Sequence, residues 1–178
     1  MLRLPYVVLD FETTGLRTTD RVMEIAAVRF ERDRTVEFQS LCNPGRPLSS
    51  FITHLTGITD ADLADAPPTT LAIKRLMAEV LHDQPLLVAH NAAFDLRFLN
   101  QELARAGLPP YGGPVLCTMR LSRRLFPGLP SHRLEALLDH WGIAADRHHR
   151  ALDDVRATAR LLDLLVAAAE ERGLAVGE

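Results

Sequence analysis

The pattern of apolar and polar positions divides the chain near residue 47. Before that point it favours strands; after it, helices and strands alternate. Residues 7–13 begin as an apolar run, Val7-Val8-Leu9, and continue as Asp10-Phe11-Glu12-Thr13 before a turn at Thr14-Gly15. Residues 21–31 are largely apolar with alternating segments, and residues 35–43 place Val36, Phe38 and Ser40 on one face. All three read as strands, and the short polar links favour antiparallel hairpins. Asn43-Pro44-Gly45 closes this unit as a turn. Residues 47–68 read as a long connection of short helical turns, with Thr59-Asp60 suited to cap one. Helical periodicity returns over 69–82. A buried-type strand follows at 85–90, then Asn91 as a helix N-cap and a helix over 92–106 that stops at Gly107. Phe94, Leu96, Phe98, Leu99 and Leu103 supply its core stripe. A short fifth strand is predicted at 114–118 and a basic helix at 119–126. Ser131 is placed to cap a helix that ends at Gly142, and a last helix over 151–172 presents Val155, Ala159, Leu162 and Val166. Together these elements predict one α/β domain over 1–172 with a single mixed sheet, and a short tail at 173–178.

Within this framework a few polar residues stand out. Side chains alternate along a strand, so Asp10 and Glu12 share a face while Phe11 points into the other layer. At strand rise their Cα atoms lie roughly 6.6 Å apart. Two carboxylates that close repel by roughly 2–3 kcal/mol at an effective dielectric of 20. The stretch holds no Lys or Arg to offset that, so a divalent cation is the simplest relief; the bland account is a strand end with two hydrated acids. Asp95 follows the strand expected beside the first, at a sheet end where ligand sites gather, although an acid in a first helical turn is favoured by the macrodipole anyway. Asp153 and Asp154 are adjacent and cannot share a helix face. Asp153 has Arg156 three residues on as a surface partner, whereas Asp154 leans to the apolar side, where Arg150 is a candidate partner. His149 in the preceding loop can reach the same place. Acids from the first strand, from the helix after the fourth strand and from the last helix, with a neutral histidine beside them, suit metal-assisted phosphodiester hydrolysis.

Composition narrows the choices further. At 178 residues and 47% hydrophobic, the chain can bury a sizeable core. No apolar run approaches the ~20 residues of a membrane span, and Arg3 with the short run after it does not make a signal peptide. Cys42 and Cys117 both fall in apolar, strand-like contexts and read as reduced core residues of a cytoplasmic protein. A net charge of −3 argues against attachment to nucleic acid by bulk charge alone. Lys74 is the single lysine against nineteen arginines. Arg120, Arg123 and Arg124 are candidates for phosphate contact, or form a solvated helix face.

Three segments, Asp10-Phe11-Glu12-Thr13-Thr14-Gly15, His90-Asn91-Ala92-Ala93-Phe94-Asp95 and His149-Arg150-Ala151-Leu152-Asp153-Asp154, resemble the three motifs of the DEDDh (DnaQ-like) 3′→5′ exonucleases. The likeness runs from Tyr6 to about Leu165 and is greatest to the epsilon proofreading subunit of bacterial DNA polymerase III. The resemblance implies a ribonuclease-H-like fold: a five-stranded mixed sheet, its first three strands antiparallel hairpins, flanked by helices. It also implies two divalent ions, Mg²⁺ or Mn²⁺, held by Asp10, Glu12, Asp95 and Asp154, with His149 as general base. The family spacing selects Asp154 over Asp153. Implied substrate contacts are the Thr13 amide at the terminal 3′-OH, Leu16 as an apolar wedge, Ile58 on the terminal base and Asn91 near the strand. The implied reaction releases nucleoside 5′-monophosphates from DNA, with single-stranded 3′ ends preferred, in proofreading or repair and with a DNA polymerase as a partner. After the last helix only residues 173–178 follow, too few for the long polymerase-binding tail of the epsilon subunit, so a stand-alone exonuclease is an equal expectation.

Other readings are a 3′→5′ exoribonuclease, since the same motifs serve both, and a catalytically silent nucleic-acid-binding module. An aspartyl phosphatase of the haloacid-dehalogenase type would want Asp-x-Asp and a downstream lysine; Glu12 and the lone Lys74 count against it. A zinc site at His148 and His149 lacks a convincing third and fourth ligand.

Overall fold

The computed structural model describes residues 2, 4–144 and 150–176. Three strands begin it: β1 (Tyr6–Thr13), β2 (Val22–Phe30) and β3 (Thr35–Leu41). Helices α1 (Ser50–Thr56), α2 (Asp60–Ala64) and α3 (Thr69–Glu79) follow, then β4 (Leu86–Ala89), α4 (Ala92–Arg105), β5 (Val115–Cys117), α5 (Thr118–Leu125), α6 (Leu134–Trp141) and α7 (Ala151–Glu171). The five strands form one sheet in the order β3-β2-β1-β4-β5. β1, β2 and β3 pair antiparallel, while β4 and β5 join parallel to β1. The fold is therefore the ribonuclease-H-like mixed sheet expected from the sequence.

Strand alternation sorts the core into two layers. Val7, Leu9 and Phe11 of β1 pack with Ile73 and Leu76 of α3 and with Phe98, Leu99 and Leu103 of α4. Val8 faces the other way, into a cluster with Ala26, Val28, Val88 and the α7 residues Ala151, Val155, Leu162 and Val166. A second apolar stripe on α7, Ala157, Leu161, Leu165 and Ala169, packs against Leu125, Leu137 and Leu138 of α5 and α6. Helix α7 is thus covered from two sides, which explains its length and its breadth of apolar positions. Asp10 and Glu12 continue the Val8 face, so the sheet's periodicity aims both carboxylates at the start of α7.

The register adds a second positional fact. β4 accompanies β1 only from Tyr6↔Leu86 to Val8↔Val88. β1 runs on with β2 to Thr13, so its last residues have no strand on the β4 side. Helix α4 begins there.

The predicted elements match the observed ones closely, with differences in their capping. Asn91 occupies the N-cap position of α4 but is left-handed (φ 66°), and its side chain makes no capping bond. Ser131 Oγ accepts from the Arg133 amide, one turn ahead of α6, whose N-cap is Arg133 itself. Thr59 does cap α2, in a reciprocal box with Asp62. Both cysteines are free, Cys42 buried and Cys117 half-buried. Among the described residues no helix is long and apolar enough to cross a membrane.

Candidate active site

The carboxylates of Asp10, Glu12 and Asp154 each bring an oxygen within 4.8 Å of the others. Asp10 and Glu12 are half-buried and Asp154 is buried. Glu12 and Glu24 are register partners across β1 and β2, as are Asp10 and Ala26. Residues opposite one another in a ladder project from the same face, so small Ala26 leaves room above Asp10 for the first turn of α7.

Asp95 reaches the site from the opposite layer, through the gap left where β4 parts from β1. It is 2% exposed, and the amides of Phe11 and of Asp95 itself favour its charged form. Its Oδ1 is buried without a hydrogen-bond partner among the described residues. Burial first, and then the charge of Asp10, raise its pKa well above the usual carboxylate range. Burial and the charges of Asp154 and Glu24 push Asp10 up to about 8. Burial and the charges of Asp10, Asp154 and Glu24 push Glu12 up to about 9, against the pull of Arg150. These groups titrate as a set. Crowded acids with one oxygen left unsatisfied fit a divalent cation, which prefers carboxylate oxygens and reverses the repulsion that raises each pKa.

The loop after β1 is held in several places. The Thr14 amide donates to the Arg21 carbonyl, and the Arg17 amide donates to Asp20 Oδ2 at 2.7 Å. A Cβ at Gly15 would stand 2.5 Å from that same Asp20 oxygen, so any other residue would push the Asp20 carboxylate out of this arrangement. Arg97 of α4 donates to the Leu16 carbonyl at 3.0 Å and lies over the rings of Phe94 and Phe98. Leu16 is left 74% exposed on a tethered loop. Thr13 is buried and its hydroxyl donates to the Gly15 carbonyl.

Of the substrate contacts implied by sequence, Asn91 and Leu16 are exposed. The Ile58 side chain is only 3% exposed, packed with Met23, Ile52 and Leu63. The apolar residues that α1 does present are Phe51 and Leu55, neither of them among the substrate contacts the resemblance implies. His149, and the His148/His149 pair, lie outside the described residues. Arg156 reaches Glu37 on β3 at 3.0 Å. Arg150 binds Glu24 through its guanidinium. His90, within the second motif, is neutral and structural. Burial lowers its pKa to about 4, and its ring bridges the Thr118 hydroxyl and the His132 carbonyl.

The sequence model of the RNase_T exonuclease family matches residues 7–162. PolC-type DNA polymerase III is 42% identical over 170 residues in Bacillus cereus and 41% identical over 172 residues in Bacillus subtilis. These matches take in 94% and 95% of this chain, which spans only 12% of the length of either polymerase. Exonuclease X, solved in complex with 5′ overhanging duplex DNA, is 31% identical with a TM-score of 0.70, covering 96% of this chain and 94% of that one. The nuclease domain of 3′hExo, a DEDDh family member bound to rAMP, shares the fold at a TM-score of 0.77 and 22% identity, over 98% of this chain and 96% of its own. By the extent of both the sequence and the structural matches, the chain belongs to the RNase_T exonuclease family.

Proposed function

We propose that the protein is a divalent-metal-dependent 3′→5′ exonuclease that removes nucleoside 5′-monophosphates from DNA 3′ ends. The observation that carries this reading is the convergence of Asp10, Glu12 and Asp154 within 4.8 Å, with the orphaned oxygen of Asp95 on the other side of Asp10. Two Mg²⁺ or Mn²⁺ ions, when bound by these four acids, supply positive charge at the scissile phosphate and a nucleophile at neutral pH. Asp10, central among the acids, would serve both ions, Glu12 and Asp154 would help hold the one that activates water, and Asp95 would act at the other. His149, five residues before Asp154, takes a proton from the attacking water. The water oxygen bonds to phosphorus, the P–O3′ bond breaks, and the leaving O3′ takes a proton from solvent water, so the shortened strand keeps a 3′-hydroxyl. The Thr13 amide and the exposed Leu16 receive the last nucleotide, Asn91 flanks the strand, and Ile58, buried with Met23, Ile52 and Leu63, would have to be uncovered to pack on the terminal base.

DNA is favoured by the likeness to PolC-type polymerases and by Exonuclease X having been solved with DNA. The same likeness supports a role in proofreading or repair, with a polymerase as partner. A 5′-labelled single strand, a mismatched duplex and an RNA of the same sequence, incubated with Mg²⁺ with and without chelator, test the reading. The expected result is a ladder shortening from the 3′ end, fastest on DNA and lost on chelation. A labelled mononucleotide released at once from the 5′ end, or activity that survives chelation, would overturn it. Faster loss of the RNA would make the protein an exoribonuclease, and binding without degradation a silent module.

A further inference from the structure

Glu24 is a wholly buried acid in the middle of an apolar strand, beside three carboxylates that already repel one another. Its charge adds to that repulsion, raising both Asp10 and Glu12. A buried charge with this cost calls for a use. Its partners suggest one. Arg150 donates to it from Nε at 3.3 Å and Nη2 at 3.0 Å. The amide of Ala151, the first residue of α7, donates to the same carboxylate at 3.2 Å. Gln39 of β3 braces it from the far side at 3.2 Å.

The N-cap residue of α7, Arg150, makes no side-chain capping bond of its own. Glu24 therefore caps α7 from a neighbouring strand, satisfying a first-turn amide that the local sequence leaves open. Arg150 is held at both ends: its guanidinium by Glu24, and its carbonyl by the Asp154 amide at 3.1 Å. Asp154 lies three residues beyond Ala151, roughly 4.5 Å along a helix axis.

We propose that Glu24 is a positioning residue for the candidate active site: acting through Arg150 and the Ala151 amide, it sets where the first turn of α7, and with it Asp154, stands against Asp10 and Glu12. This rests on the exonuclease reading for its catalytic consequence, but not for its structural one. Groups that orient a ligand-bearing element typically change activity about 10–100-fold when removed.

The test uses the full chain as wild type, Glu24→Gln, Arg150→Gln and the double variant. Two readouts are taken: steady-state kinetics on single-stranded DNA with Mg²⁺, and amide hydrogen exchange without metal. Each single variant is expected to lose about 10–100-fold in kcat with KM within about threefold, and the double variant to be no worse than the singles. Exchange should quicken at residues 151–154 while the rest of α7 keeps its protection. Wild-type kcat and wild-type exchange in Glu24→Gln would overturn the proposal. So would faster exchange spread across α7 and the sheet, which would make the pair a general stabiliser. If Glu24→Gln fails to fold, Arg150→Gln carries both readouts, since the Arg150 side chain is 32% exposed and belongs to no strand of the sheet. A wild-type chain with no chelator-sensitive degradation would sink the exonuclease reading alone; exchange at 151–154 would still decide the role of Glu24.

Discussion

At the scale of single residues, the acids of the site are expected to set how stability varies with pH. Asp10 and Glu12, at about 8 and about 9 in the folded protein, return to 3.8 and 4.5 when it unfolds. Between those limits the folded state holds protons that the unfolded state releases. Their contribution to stability is therefore fully present below about pH 4 and is lost as pH rises to about 9. A bound divalent cation removes that loss, so the rise in Tm on adding Mn²⁺ should grow from pH 6 to pH 8. Thermal melts with cation and with chelator check this, and a rise independent of pH would mean that these carboxylates do not hold the ion. Asp154→Ala should reduce turnover to the level seen with chelator. Asp153→Ala should stay within about threefold of wild type, since Asp153 is not one of the three converging carboxylates. His149→Ala should slow turnover more than it weakens metal binding.

At the scale of elements, most of the architecture is readable along the chain because its information is local. The face shared by Asp10 and Glu12 follows from strand alternation alone, and Gly107 ends α4 in the left-handed conformation its position suggests. What escapes is what depends on partners distant in sequence. Asn91 has the chemistry of a cap, yet the sharp exit from β4 puts it at φ 66°, and the cap is lost. Arg150 stands four residues from Asp154 but is taken by Glu24, which is 126 positions away. Glu24 itself leaves one trace in the sequence, an acid within an apolar strand, and no rule of spacing pairs it with α7. Glu102 is a parallel case on α4. Fully buried, it receives Arg21 at 2.7 Å and Arg105 at 2.8 Å, and so ties α4 to the start of β2. Glu102→Gln should cost about 1.5–3 kcal/mol in denaturant unfolding, the range for hydrogen bonds to charged groups. A loss under about 0.5 kcal/mol, the scale of a neutral surface change, would show that the tie is dispensable.

At the scale of the whole molecule, a net charge of −3 leaves attraction to nucleic acid to local features. Helix α5 offers one. Arg120, Arg123 and Arg124 line a groove of about 740 Å³ that Asn91 and the first residues of α4 also border. Replacing Arg123 and Arg124 with Ala should reduce the slope of log K against log salt by about 1.4 on single strands, from about 0.7 per phosphate contact. An unchanged slope would remove both from the footprint.

The parting of β4 from β1 has a practical consequence for trapping a complex. Beyond Val8, β1 has no strand on the β4 side, and α4 with the buried Asp95 covers an edge along which strands otherwise associate. Asp95 closes that edge through the Phe11 amide, so it acts as a stopper as well as a candidate ligand. Asp95→Ala should therefore bring self-association together with inactivity. Asp154→Asn, on α7 in the layer opposite α4 and Asp95, should stay monodisperse and is the better inactive variant for trapping a nucleic-acid complex. Light scattering on the two variants at matched concentration would separate them.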